Sequence, residues 1–190
     1  MNETSLILLA LPLLLVVVVI VIYNGIVGRH NAVDRAWASV LTQERQKNKI
    51  IPHVEKMVEQ YKLHEASVFT EVTKLRSAIS DLSQGGVDAA KLALAEKHTA
   101  GLLQGLKLAV EAYPDLKSSD TYLKVMAEIS EQQEQVGAAI RIFNRNVEEF
   151  NNGIQMFPGS LVNAMFNRKQ SINSFSDAEA QAGFDYKPNL

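Results

Sequence analysis

The chain has no cysteine. That absence removes disulfides, thiolate metal sites and cysteine nucleophiles together, and it suits a reducing compartment. Proline and glycine are scarce, five and ten in 190 residues. Long runs rich in Ala, Leu, Glu, Lys and Gln are therefore uninterrupted, which favours helix over sheet. Basic charge is not in excess: the formal net charge is −2 and the isoelectric point is near 6.1. No global footprint for nucleic acid follows from that balance. A phosphate-binding glycine loop and a G-x-S-x-G elbow are both missing, so two common routes to phosphoryl and acyl chemistry are not signalled.

What is present begins with one long apolar run. LILLALPLLLVVVVIVI, residues 6–22, holds no charge and no hydrogen-bonding side chain. As a helix it spans roughly 25 Å, and Tyr23 with its flanks extends it towards a bilayer core of about 30 Å. A helix apolar on every face fits a membrane better than a protein core, and Pro12 within it is tolerated there. A cleaved signal peptide is the competing reading. Against it, Met1–Ser5 carries no Lys or Arg, and YNGIVGRH offers no small-x-small cleavage site. Arg29 and Arg35 follow the span closely, whereas only the α-amine precedes it. The positive-inside rule then places the amino terminus outside and the remainder in the cytoplasm.

Beyond the span, Val33, Trp37, Val40, Glu44, Lys47, Ile51, Val54, Val58, Tyr61, Glu65, Val68, Val72, Leu75, Ile79 and Leu82 recur in steps of four and three. This is a coiled-coil-like heptad seam, and its phase continues across Pro52. The favoured reading is one long helix from Val33 to Leu82, bent near Pro52, because no glycine intervenes to make a turn. The rival is an antiparallel pair meeting near Asn48–Pro52, with the proline in the first turn of the second helix. SQGG at 83–86 then gives a stop, and Asp88 can cap a second helix reaching about Tyr113, where Pro114 breaks it. Ser119 or Asp120 starts a third, running to Pro158. Leu161–Phe166 makes a last turn, and the residues after it read as a weakly structured tail.

Candidate chemistry is thin. A di-metal bundle site wants Glu-x-x-His on inward faces, and the residues three before His30, His53, His64 and His98 are Val27, Ile50, Tyr61 and Ala95. Glu128, Glu131 and Glu134 form a carboxylate row that reads as a solvated flank, without a histidine or basic partner at matching spacing. GLLQG, with Gly101 and Gly105, suits close packing of helices. Thr42–Lys49, TQERQKNK, has no apolar residue yet places Glu44 and Lys47 on the seam. It reads first as a solvated stalk and second as an interaction surface. No catalytic, cofactor-binding or metal residue is assigned. The alternative is a metal-binding or enzymatic bundle using His53, His64 and carboxylates near 52–65.

Four motifs in order carry a resemblance: YNGIVGRHNAVDRAW, KIIPHVEKMVEQYKLHE, EAYPDLKSSDTYL and RIFNRNVEEFNNGIQMFPGSLVNAMF. They are similar to the YN-x-x-V-x-x-x-N-x-V-x-x-AW, L-I-P-N-L-V with Y-x-x-HE, YPDLK and FP-x-x-LV steps of the LemA family. Phe143 and Phe150 stand where tyrosine is common, and His53 where asparagine is. The carboxyl tail also departs from the family's acidic, phenylalanine-rich ending. The resemblance implies a bacterial single-pass membrane protein with its short end outside, a helical bundle inside and no established enzymatic activity.

Together these readings give an all-α protein, an antiparallel bundle of three to four long helices after an amino-terminal transmembrane helix. Residues 1–5 form a short extracytoplasmic end, 6–23 the span, 24–167 the bundle and 168–190 the tail. The expected partners are the lipid bilayer through residues 6–23 and further copies or other membrane proteins. No nucleic acid, small-molecule substrate or cofactor is expected. The orientation at the bacterial inner membrane is checked by protease protection in spheroplasts: the large domain should survive, and rapid digestion from outside reverses the placement.

Overall fold

The computed structural model describes residues 3–60, 66–117 and 119–176, with side chains from residue 10 onward and Ala66 described by its backbone only. Among the described residues there is no strand. Helix α1 runs Glu3–Gln46, and a single 3₁₀ turn, Lys47–Lys49, joins it to α2, Ile51–Gln60. Then follow α3, Ala66–Leu82; α4, Ala89–Ala112; the short α5, Pro114–Lys117; and α6, Asp120–Gln155. The four-residue α7, Gly159–Val162, and one π turn, Asn163–Asn167, complete the order.

The path from Ala10 to Gln60 is helical throughout, so the chain does not reverse at Pro52. Proline has no N–H for the carbonyl four residues back, and its ring crowds that carbonyl. The chain answers by tightening just before it: Ile50 N–H bonds the Lys47 carbonyl, and α-helical bonding resumes with Val54 N–H on the Ile50 carbonyl. A 3₁₀ turn is the usual local solution to such strain.

Arg76 donates to Glu55 at 3.1 Å and Arg45 donates to Ser83 at 2.9 Å, so α3 runs antiparallel to the α1–α2 path. The expected single helix from Val33 to Leu82 is thus two arms of a hairpin. The seam kept its phase because both arms bury the same register. Every described seam position is buried, from Val33 to Leu82, Glu44 and Lys47 included. Tyr61 and Glu65 lie outside the described residues.

The other boundaries follow local chemistry. Gly85 takes φ +113°, which only glycine adopts readily. The Asp88 carboxylate accepts from the N–H groups of Ala90 and Lys91, capping α4. Ser119 Oγ accepts from Tyr122 N–H at the start of α6. The GLLQG glycines face α3: a Cβ at Gly105 would sit 3.2 Å from Val68 Cγ2, and one at Gly101 would press on the Glu71 side chain.

The chain forms two compact units, Met1–Ala36 with Phe143–Ser174, and Trp37–Ile142 with Phe175–Leu190. In the second, the end of α1 with α2, then α3, α4 and the first half of α6 form an antiparallel bundle. Its core includes Ile51, Met57, Val72, Leu75, Leu106 and Ile129. In the first unit, α1 packs antiparallel on the second half of α6, burying Ile26, Val33, Phe143, Val147, Phe150 and Ile154. The His30 ring meets the Phe150 ring edge-on, centroids 5.3 Å apart.

Two glycines of the first unit make contrasting predictions. A Cβ on Gly159 would run into the Gly153 backbone carbonyl, whereas one on Gly153 would meet only the Arg29 side chain, 2.7 Å from a guanidinium nitrogen. Backbone cannot yield as a side-chain end can. Gly159→Ala should therefore lose roughly 1–3 kcal/mol in chemical denaturation, with Gly153→Ala less affected.

Candidate functional site

The heptad seam carries two polar residues, and the second unit buries both. Lys47, in the 3₁₀ turn, is 4% exposed, and Glu44, one turn earlier, is 0% exposed. The Lys47 ammonium donates to Glu44 Oε1 at 3.1 Å, to Glu96 Oε1 of α4 at 2.7 Å and to Thr99 Oγ1 at 3.1 Å. An ammonium has three donors, and all are used. Glu96 Oε2 accepts from Gln133 Nε2 of α6 at 2.9 Å, and the Thr99 hydroxyl donates to the Ala95 carbonyl at 3.0 Å. Three helical paths thus meet at one buried cation, so the solvated-stalk reading of Thr42–Lys49 fails at these two residues. Their partners sit 49 and 52 positions away in sequence, beyond the reach of any local pattern.

Two carboxyls compete for one ammonium, and they end in opposite states. Burial raises the Glu44 carboxyl well above its ordinary value of 4.5, and the neighbouring Glu96 reinforces this against the pull of Lys47. Burial acts the same way on Glu96, but the charge of Lys47 and hydrogen bonds from Glu44, Lys47 and Gln133 outweigh it, bringing it down to about 2. Burial opposes the charge on Lys47 too, yet the two glutamates hold it above its ordinary 10.5. The geometry explains the division. Glu96 has the shorter ammonium contact and an amide donor, while the ammonium lies 3.1 Å from each Glu44 oxygen. A protonated Glu44, an ionised Glu96 and a charged Lys47 make the cluster neutral, the least costly state for a buried group.

The crevice bordering this cluster is only ≈ 20 Å³, lined by Lys47, Thr99 and Gln133 among apolar neighbours. It is too small to admit a substrate. An open polar groove of ≈ 490 Å³ lies on the outer side of the same turn. Gln43, Gln46, Lys49 and His53 line one wall, and Glu128, Glu131, Gln132 and Gln135 of α6 line the other. Gln132 Nε2 donates to the Gln43 carbonyl at 3.0 Å, and His53 Nδ1 lies 2.7 Å from Glu128 Oε2. Glu128 therefore has a histidine partner, supplied by another helix. The exposed side of Thr42–Lys49 becomes a groove wall.

The remaining histidines separate. His98 Nδ1 lies 2.9 Å from Glu71 Oε2 between α4 and α3, and His30 pairs with Asp34 at 3.2 Å. Burial works to raise Glu71, but its hydrogen bonds with His98 and Lys74 bring it below the ordinary carboxylate value. His64 lies outside the described residues. Among the described residues, no group of three or more His, Asp or Glu side chains converges as a metal would need.

The fold and the apolar helix fit a membrane-anchored helical-bundle protein. Residues 36–184 match the LemA family, and the chain belongs to that family. It is 26% identical over 134 residues to Protein LemA of Metamycoplasma hominis. That alignment covers 70% of this chain and 60% of the relative.

The cluster makes a pH prediction with a definite sign. Glu44 keeps a proton in the fold that the unfolded chain releases, so its contribution is full below pH 4.5 and falls as pH rises through its folded value. Glu96 acts oppositely: its contribution is present above 4.5 and is lost as pH falls towards about 2. Glu44→Gln mimics the protonated carboxyl, so denaturation midpoints should fall less between pH 5 and pH 8 than in the parent. Identical profiles would sink the assignment. Lys47→Met strands Glu96 as a buried anion and should cost about 3–5 kcal/mol.

Proposed function

We propose that the chain is a non-catalytic scaffold of the bacterial inner membrane, anchored by residues 6–23 with its amino terminus outside and its bundle in the cytoplasm. It works by binding further copies of itself or other membrane proteins. The observation that carries this reading is the open groove between the α1–α2 junction and α6. Its glutamine amides offer donors and acceptors together, and Lys49, His53, Glu128 and Glu131 add charge of both signs. Such a lining suits a polar protein surface, and charges at its rim set partner choice and encounter rate more than raw affinity. The clasp of Gln132 on Gln43 and the buried cluster inside the same turn hold the walls in place, which lowers the ordering cost of association.

Photo-crosslinkers at Lys49 and Gln135 in intact membranes test the proposal, with exposed Leu108 as the control. Specific adducts are expected from the groove positions, together with a detergent-extracted particle larger than one chain. A monomeric particle giving no adduct at either position overturns it.

A further inference from the structure

The first unit exposes large apolar side chains at one end. Phe157 is 83% exposed, and Met156, Leu161, Met165 and Phe166 are exposed around it. An apolar cluster of this kind in water marks an interaction site. The chain leaves α6 at Gln155, turns through α7 and the π turn, and returns beside α6. There Asn151 brackets Ile172 with two hydrogen bonds, and Gln155 donates to Ser171. Residues 156–170 are therefore a tip beyond the last turn of α6.

The tip is built rather than loose. Arg168, in the left-handed region at φ 51°, donates its N–H to the Asn163 carbonyl. Asn163 in turn clasps Lys169 from both sides, accepting from its N–H and donating to its carbonyl, each at 2.9 Å. Gly159 and Val162 fill the inside. Asn163 and the backbone groups of Arg168 and Lys169 bond one another while Phe157, Met165 and Phe166 are exposed.

Register fixes which end of the unit this is. Phe150 meets His30, and Gly153 lies against Arg29, on antiparallel helices. Continuing in that direction brings the tip level with the stretch around Tyr23, where the apolar part of α1 leaves the unit. From Leu11 to Val21 that helix is largely bare of protein packing. Arg168 and Lys169, both exposed, flank the tip.

We propose that this tip is a second membrane contact. Phe157, Leu161, Met165 and Phe166 enter the interfacial layer of the leaflet from which the span emerges, and Arg168 and Lys169 face lipid phosphates. Apolar side chains backed by basic residues are the composition that lies in such a layer. The occupant is lipid because the surface lies beside a bare apolar helix and is flanked by positive charge. The inference rests on reading residues 6–23 as an anchor.

Because the chain has no cysteine, single-cysteine variants label uniquely. Full-length Phe157→Cys, Phe166→Cys, Val16→Cys and Leu123→Cys, carrying nitroxides, are placed in nanodiscs of phosphatidylethanolamine and phosphatidylglycerol. Collision with oxygen is compared with collision with a water-soluble nickel chelate. Both tip positions are exposed, so labelling removes no core contact. The oxygen-to-nickel ratio at positions 157 and 166 should rise several-fold above that at Leu123, towards the ratio at Val16. A tip ratio equal to that at Leu123, with position 16 in lipid, overturns the tip contact and leaves the anchor standing. Shielding of the tip from both reagents means burial against protein and also overturns it. Nickel access at position 16 overturns the anchor and the inference together.

Discussion

The second unit depends on one buried ammonium. Removing a charge from water costs several kcal/mol, and only complete pairing offsets it. Lys47 meets that condition by using all three donors, one on Glu44 of α1 and two on Glu96 and Thr99 of α4, and Glu96 in turn accepts from Gln133 of α6. An apolar seam tolerates a slip of one heptad, since valine and leucine pack against valine and leucine in either register. The cluster does not tolerate it: a slip would leave a carboxylate or an ammonium buried alone. Apolar burial supplies the driving force for the bundle, and the ion cluster restricts the arrangements it can adopt.

The same turn faces two environments. Its inner side holds Glu44 and Lys47, closed to solvent and neutral only together with Glu96 of α4. On its outer side Gln43, Gln46 and Lys49 open into a polar groove. The polar run that interrupts the seam is explained by this double exposure. A 3₁₀ turn before Pro52 places successive side chains on both sides of a helical path, and the sequence fills each side with what that side requires.

Much of the fold is legible in the amino-acid sequence. The long apolar helix, the cap at Asp88, the start of α6 near Ser119, the stops at SQGG, Pro114 and Pro158, and the buried seam all follow from local chemistry. The direction of the chain was not legible. Hydrophobic phase carries no sign, so a hairpin whose connection preserves the heptad count reads like a single helix. The antiparallel course of α3 is hidden in the sequence for that reason. The site was legible by half. Glu44 and Lys47 stood out as polar residues on an apolar stripe, but Glu96, Thr99 and Gln133 gave no signal in their own segments. The pairing of His53 with Glu128 likewise depends on helices 75 residues apart in sequence. The FPGSLV stretch was visible as a motif, whereas the exposure of Phe157 is a property of the folded tip.

Full use of the Lys47 donors has a chemical consequence. An amine reacts with acylating reagents through its free base, and here the base form is suppressed by two carboxyls while the nitrogen is closed to solvent. Exposed lysines such as Lys49 and Lys169 react from the native state. Lys47 can react only when the bundle around it opens, so its acylation rate reports the frequency of that opening. The chain therefore carries its own clock for local unfolding at Lys47.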